Sequence, residues 1–350
     1  MAISLITVII TQMYYQSSTY LPMSDLVIKR QKAQMLALGG VQMGLSKLNG
    51  SQDQVTEQAA DSTEKKKSKQ SELLGRLLSS INRWQTVTLS EEVEGVIGEI
   101  KVCVSCENGK INLNQLYNFE NHTFSDVKKN DGKTKQLEPE NKSAYEKILH
   151  QTLTQIATVT KNQFDSEAAF NALVKFLAAR DYQLLDVTEL LEIPEFSYFN
   201  KQVFYEPPSL ERVNPSIYLT DIFTIWTDQV KLQPWLLSDS LLAILGFPRA
   251  QPNDIMKRNS AVADWTKYFK ESVAWQNDWD KTLGLVYDTK FGDFSKEVVN
   301  FFDTKFNPQV FSVLSYGKVG GVTQKIYAIV RLQSKSKDRS FFVVEKLYWI

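Results

Sequence analysis

Histidine and cysteine are nearly absent from this chain, with two of each in 350 residues. A four-ligand zinc site needs more of them than that, so structural zinc is excluded as an organising principle. Charge of one sign is absent too. Forty basic residues balance forty acidic ones, for a formal net charge of zero. A protein built to coat nucleic acid carries a basic excess, and this one has none. The motifs of common enzymes are missing: there is no G-x-S-x-G, no Walker A loop, no H-E-x-x-H and no G-x-G-x-x-G after a strand. The two histidines, His122 and His150, lie in different segments and outside any motif. No catalytic constellation emerges, and the chain reads as a non-enzyme that needs no cofactor.

Long hydrophobic runs are also scarce. The longest opens the chain, Met1-Ala-Ile-Ser-Leu-Ile-Thr-Val-Ile-Ile10, and stops at Thr11-Gln12. A bilayer needs about 20 apolar residues in a helix. Extending the stretch through Met13, Tyr14, Tyr15, Tyr20 and Leu21 gives a weakly polar span with interfacial aromatics. With no basic residue ahead of it and no small-residue cleavage site after it, it is a poor secretory signal.

From Asp25 to Leu48 the chain has helical periodicity. Leu26, Ile28, Met35, Leu36, Leu38, Val41, Met43, Leu45 and Leu48 supply apolar stripes, and Lys29, Arg30, Gln31, Lys32 and Gln34 face away. Pro22 is expected to break or kink this rod. Ala33, Ala37, Gly39, Gly40 and Gly44 share the same helix. Glycine inside a helix costs roughly 1 kcal/mol relative to alanine, so this run implies close packing on a neighbour or a flexible point.

Beyond the rod, Asn49–Gln70 reads as an exposed linker with a basic run at Lys65–Lys67 and Lys69, and Ser71–Trp84 as a helix. Gly95–Cys106 has strand character, closes on the turn Asn108-Gly109, and leads to a second strand, Lys110–Asn114. Cys103 and Cys106 are three apart on that strand and point to opposite faces, so a bond between them would need a bulge or turn. Helical spacing marks Ser143–Thr160, Glu167–Arg180, Asp186–Glu192 and Leu236–Leu245, and Tyr218–Trp226 reads as a strand. The C-terminal fifth is the clearest β region: strands near Gln309–Tyr316, Thr323–Leu332 and Ser340–Ile350 form an antiparallel meander.

Three features invite functional readings. Asp278, Asp280, Asp288 and Asp293 are the best candidates for calcium, which takes six to eight oxygen ligands, against solvated acids as the plain alternative. Trp226, Trp235, Trp265, Trp275, Trp279 and Trp349 suggest a stacking platform or, more simply, core packing. Phe176–Pro194 resembles half of a helix-hairpin-helix, whose glycine-containing turn offers backbone amides to phosphate; here Ile193-Pro194-Glu195 stands where that glycine would be.

Four stretches, in order, carry a family resemblance. The first is the N-terminal helix running into Lys29–Leu48. The second is Glu107-Asn-Gly-Lys-Ile-Asn-Leu-Asn-Gln-Leu116. The third is Phe176–Pro194 with Leu219-Thr-Asp-Ile-Phe-Thr-Ile-Trp226, and the fourth is a closing hairpin at Val313–Arg331. Together they resemble protein K of the general (type II) secretion pathway, the large minor pseudopilin, and its relatives in type IV pilus-like systems. The chain departs from that pattern after Asp228, where Gln229-Val-Lys-Leu-Gln-Pro-Trp235 replaces an asparagine-rich turn.

The resemblance implies an α+β fold: a long membrane and pilin-like helix, an antiparallel sheet and a large, mostly helical insertion. Residues 1–22 would be the membrane and assembly helix, 23–119 with 216–350 the pilin-like α/β domain, and 120–215 the helical insert. Ile3, Leu5, Ile6, Val8, Ile9 and Ile10 would make membrane and assembly contacts. The protein would be a single-pass component of the bacterial inner membrane, with its bulk in the periplasm. It would work at the tip of a pseudopilus with other minor pseudopilins and take no small-molecule substrate. The alternative is a minor pilin of a DNA-uptake system with a nucleic-acid-binding hairpin.

Overall fold

A computed structural model describes residues 2–49, 77, 81–125, 143–207, 217–246, 278–280, 284, 290–293, 296–336 and 339–350; for 2–22, 293, 296–297, 334–336 and 339–340 it describes the backbone alone. The linker with its basic run, nearly all of the Ser71–Trp84 helix, Trp265 and Trp275 lie outside the described residues.

The helices are α1 (Ala2–Asn49), α2 (Ala144–Val159), α3 (Ser166–Ala178), α4 (Asp239–Ile244) and α5 (Lys296–Phe301). The strands are β1 (Gln85–Leu89), β2 (Gly98–Cys106), β3 (Ile111–Asn112), β4 (Tyr117–Asn118), β5 (Thr123–Phe124), β6 (Phe223–Thr224), β7 (Val310–Val319), β8 (Val322–Ser336) and β9 (Arg339–Trp349). One-turn helices and 3₁₀ turns join them. The chain divides into two units: Met1–Thr56 with Arg83–Val104 and Ser312–Ile350, and Glu57–Asn82 with Ser105–Phe311.

The first unit is the long helix on a five-stranded sheet ordered β1-β2-β7-β8-β9. β1 pairs antiparallel with β2, in register from Gln85↔Val102 to Leu89↔Gly98. β8 and β9 pair antiparallel from Ile326↔Trp349 to Ser336↔Arg339, with irregularities at Ile329/Val330 and Ser334/Ser336. Gly320-Gly321 links β7 to β8 in a tight hairpin, with Gly320 at φ 57°. The expected C-terminal meander is therefore present.

Helix α1 is continuous through Pro22. Proline removes a single backbone hydrogen bond, and the turns on either side keep the helix together. The small residues decide how it packs. Ala33, Ala37, Gly40, Val41, Gly44 and Leu48 are all buried, a spacing that places them along one stripe. A β-carbon on Gly40 would collide with Ser315 Oγ and stand 2.8 Å from Ile100 Cγ2 and 2.9 Å from Val102 Cγ2. One on Gly44 would stand 2.7 Å from Val313 Cγ1, and one on Gly317 of β7 would strike the α1 backbone at Ala33 and Ala37. Glycine on both surfaces lets the helix backbone lie directly on the sheet.

The membrane assignment is corrected here. Among the described residues no helix is long and apolar enough to cross a membrane. Ser4 and Thr7 interrupt the opening run of α1, and Thr11, Gln12, Gln16, Ser17, Ser18 and Thr19 come within the next nine positions. A window of bilayer length is too polar. The transmembrane helix, the inner-membrane partner and the single-pass placement with a periplasmic bulk do not stand.

The second unit is mainly helical. α2 begins at Ser143, whose hydroxyl accepts from Tyr145 N, and α3 at Asp165, whose carboxylate accepts from Ala168 N. Ile148, Leu149, Leu153 and Ile156 of α2 face Ala169, Phe170, Leu173 and Leu177 of α3 in a buried antiparallel pair. Two strand expectations need correction. Lys110–Asn114 contributes only two residues, β3, which pairs parallel with β6 (Ile111↔Phe223, Asn112↔Thr224) and not with the strand preceding it. Glu107–Gly109 form a 3₁₀ turn that redirects the chain, with Gly109 packed on the Leu236–Leu237 backbone too tightly for any side chain. Tyr218–Trp226 is largely a helical turn, Leu219–Ile222, leading into the short β6. Leu219 and Ile222, three apart, are both fully buried, and that spacing suits a turn of helix better than a strand.

Candidate functional site

Two places draw together the residues that the sequence singles out. The first is α1. Its buried stripe faces the sheet, and its remaining surface carries large apolar side chains in solvent. Met35 is 71% exposed, and Val27, Ile28 and Leu38 are exposed with it. From Met23 to Ile28 every side chain is exposed. Leu26, seven residues before Ala33 and on the same line of the helix, is 56% exposed. The helix thus continues past the edge of its own sheet with its packing stripe uncovered. The backbone of Ile3, Leu5, Ile6, Val8, Ile9 and Ile10 belongs to this extension; their side chains lie outside the description.

The second place is a buried polar joint in the helical unit, built on Glu107–Leu116. Along that stretch Lys110, Asn112 and Asn114 alternate with Ile111 and Leu113, and all five are buried. Each polar side chain clamps a different distant backbone. Lys110 Nζ lies 2.5 Å from Glu107 Oε1 and donates to Thr220 O at 2.8 Å. Glu107 Oε2 accepts from Thr224 Oγ1 at 2.5 Å. Asn112 Nδ2 donates to Thr227 Oγ1 at 2.8 Å and to the Thr227 carbonyl, while its Oδ1 caps the next turn at Gln115 N. Asn114 makes a two-way bond with the Leu184 backbone, 2.9 Å in each direction. Asn108 holds Gln309 N and Val310 N through its Oδ1, at 2.9 and 3.0 Å. One short stretch thereby fixes the Thr220–Thr227 segment, the hairpin at Leu184 and the start of β7.

The Glu107 and Lys110 side chains are 1% and 2% exposed. Charges so deeply buried require pairing and full hydrogen bonding, which they have. Asp221 stands beside them, also buried, accepting from Ser240 N at 2.8 Å. Burial pushes its carboxyl above the usual carboxylate range, with Glu107 adding to the effect, while Lys110 and the Ser240 hydrogen bonds oppose it. The joint ties distant segments of the helical unit together.

The turn after α3 is held by hydrogen bonds from its own and neighbouring side chains. Its backbone amides are already occupied by side-chain oxygens. Glu189 Oε1 accepts from Leu185 N at 2.6 Å and Asp186 N at 2.9 Å, Asp186 Oδ1 accepts from Thr188 N at 2.8 Å, and Asn114 takes Leu184 N. Arg180 bonds Glu189, lies over the Phe176 ring at 4.2 Å, and approaches Glu192 at 3.6 Å. Burial alone would raise the Glu189 carboxyl, but the Asp186 and Leu185 amides and Arg180 hold it below its ordinary value.

The calcium candidates are described only in part. Asp278 is half-buried and Asp280 exposed, the latter accepting from Phe291 N at 3.4 Å. Only the backbone of Asp293 is described, and Asp288 lies outside the described residues. Among the described residues no group of three or more His, Cys, Asp or Glu is arranged to hold a metal. Cys103 and Cys106 are buried and unbonded to each other. Burial pushes the Cys106 thiol up to about 12, which makes it inert. Trp235 and Trp279 are buried against Phe306 and Phe302, so these two are core residues. Sequence reading found the Glu107–Leu116 stretch by resemblance and missed its physical role. The period-two alternation of amide or amine with aliphatic residues was the available sign.

No protein-family profile matches the chain, and no curated protein sequence does. Among solved structures, it is similar to a chain in the GspK-GspI-GspJ complex from the enterotoxigenic Escherichia coli type 2 secretion system, with 12% sequence identity, a TM-score of 0.40, and coverage of 97% of this chain and 98% of that one.

Proposed function

We propose that this chain is a structural, non-catalytic subunit of a pseudopilin assembly, working with smaller minor pseudopilins at the tip of a type II secretion pseudopilus to support protein export across the outer membrane. One observation carries the reading: α1 uses a small-residue stripe to lie on its own sheet, then runs beyond that sheet with the stripe and its apolar flanks uncovered. An exposed apolar helix of this kind is stable in water only at a cost, and marks a protein interaction surface. Bundled helices of neighbouring subunits are the natural cover, because ridges and small-residue grooves let helices approach closely. The sequence resemblance points the same way. The DNA-uptake alternative is the weaker reading, since the chain carries no basic excess.

The test is co-expression of the full chain with candidate smaller minor pseudopilins, then size-exclusion chromatography with light scattering. The wild type is expected to form a stable hetero-oligomer. Leu26→Glu/Met35→Glu/Leu38→Glu is expected to lose it while keeping a native circular dichroism spectrum. A wild-type chain that stays monomeric beside every candidate, or a triple variant that assembles normally, overturns the reading.

A further inference from the structure

The helical unit contains a pocket of about 210 Å³ formed by α2, α4 and α5. Its floor is aliphatic and aromatic: Ile111, Ile148, Leu232, Leu241, Ile244 and Phe301, all buried. Its rim on the α2 side carries Gln151 and Gln155, one helical turn apart and both half-buried. Neither carboxamide is hydrogen-bonded to another described residue. The third polar lining residue, Thr152, already donates to Ile148 O at 2.8 Å. Among the described residues no charged side chain lines the pocket.

This composition is that of a small-molecule site: a mostly apolar concavity with few, convergent polar groups. Size sets the first limit on a ligand, because an apolar cavity of about 150 Å³ accepts benzene, and this one has room for a ring with a short substituent. Polarity sets the second. Each glutamine amide offers both donor and acceptor, so the best complement offers both as well. A carboxylate or an ammonium satisfies only one half of each amide, and burying its charge without an opposite charge is unfavourable.

We infer that this pocket binds a neutral, single-ring or similarly compact apolar molecule bearing one carboxamide-like head, with the ring against Ile244 and Phe301 and the head between Gln151 and Gln155. The site is independent of the assembly surface on α1.

Benzamide and benzoate, matched in shape, are the probes, titrated into the full-length protein at neutral pH by calorimetry and saturation-transfer NMR. Benzamide is expected to bind saturably and at least about tenfold more tightly than benzoate, a gap of roughly 1.4 kcal/mol. Gln151→Leu/Gln155→Leu, at rim positions where loss of folding is not at issue, is expected to erase that preference while still admitting the ring. Val298→Trp, which fills the pocket from α5, is expected to abolish binding of both. Absent benzamide binding, equal affinity for the two probes, or a preference that survives the double glutamine variant would overturn the inference.

Discussion

Two adjacent glycines on α1 are expected to respond differently to the same substitution. Gly→Ala inside a helix stabilises by roughly 0.8–1.0 kcal/mol through backbone propensity alone, and that gain is common to Gly39 and Gly40. A β-carbon at Gly39 would meet only Ile100 Cδ1 at 3.9 Å, an ordinary contact. At Gly40 it would collide with Ser315 Oγ and crowd two methyl groups below 3.0 Å. Ser315 is fully buried, so it has little freedom to retreat. Overpacking of this sort costs about 1–3 kcal/mol. Gly39→Ala should therefore stabilise by up to about 1 kcal/mol, and Gly40→Ala should be neutral to destabilising by about 2. The difference between the variants isolates the steric cost. Urea unfolding monitored by circular dichroism reads it as a shift in midpoint at constant slope. Adding Ser315→Ala to Gly40→Ala removes the nearest atom and should restore part of the loss. If both single variants move the same way by the same amount, the helix does not lie this closely on the sheet.

The buried ion pair gives a second expectation. Lys110→Met strands the Glu107 carboxylate and should cost about 3–5 kcal/mol, whereas Glu107→Gln/Lys110→Met should recover most of it, since a buried pair exchanged for neutral groups is often no worse; denaturation of both variants, with a double-mutant cycle, measures the coupling. A third concerns pH. The Asp221 carboxyl is raised on folding, so the native state holds its proton more tightly than the unfolded one. The stability this group contributes is complete below its ordinary range and is lost as pH rises through its elevated value. Asp221→Asn should flatten that decline, leaving the variant at least as stable as wild type at pH 7 relative to pH 4; a variant that loses more stability at pH 7 than at pH 4 would reverse the assignment.

Elements whose cause is local could be read from the chain alone. Helical spacing placed α2 and α3, and alternation placed the three C-terminal strands, while the caps at Ser143 and Asp165 emerge from the structure. The small residues of α1 left close packing or a flexible point open, because glycine is costly in a helix without a reason, and the contacts of Gly40 and Gly44 decide for packing. The polarity of the opening stretch was also legible, and it is the reason no helix among the described residues is apolar enough to cross a membrane. Whatever depends on partners far along the chain was settled only by the fold. The pattern Lys110-x-Asn112-x-Asn114 looks like half of a solvated strand, yet its amine and amides are buried because Thr220, Thr227 and Leu184 arrive from 70 or more residues away to accept them. Which face of α1 is covered was likewise undecidable from hydrophobicity. The larger side chains, Met35 and Leu38, are outside, and the smallest are inside, because backbone proximity to β2 and β7 rewards the absence of a side chain. Pattern reports what a residue prefers on its own; distance along the chain hides what will come to meet it.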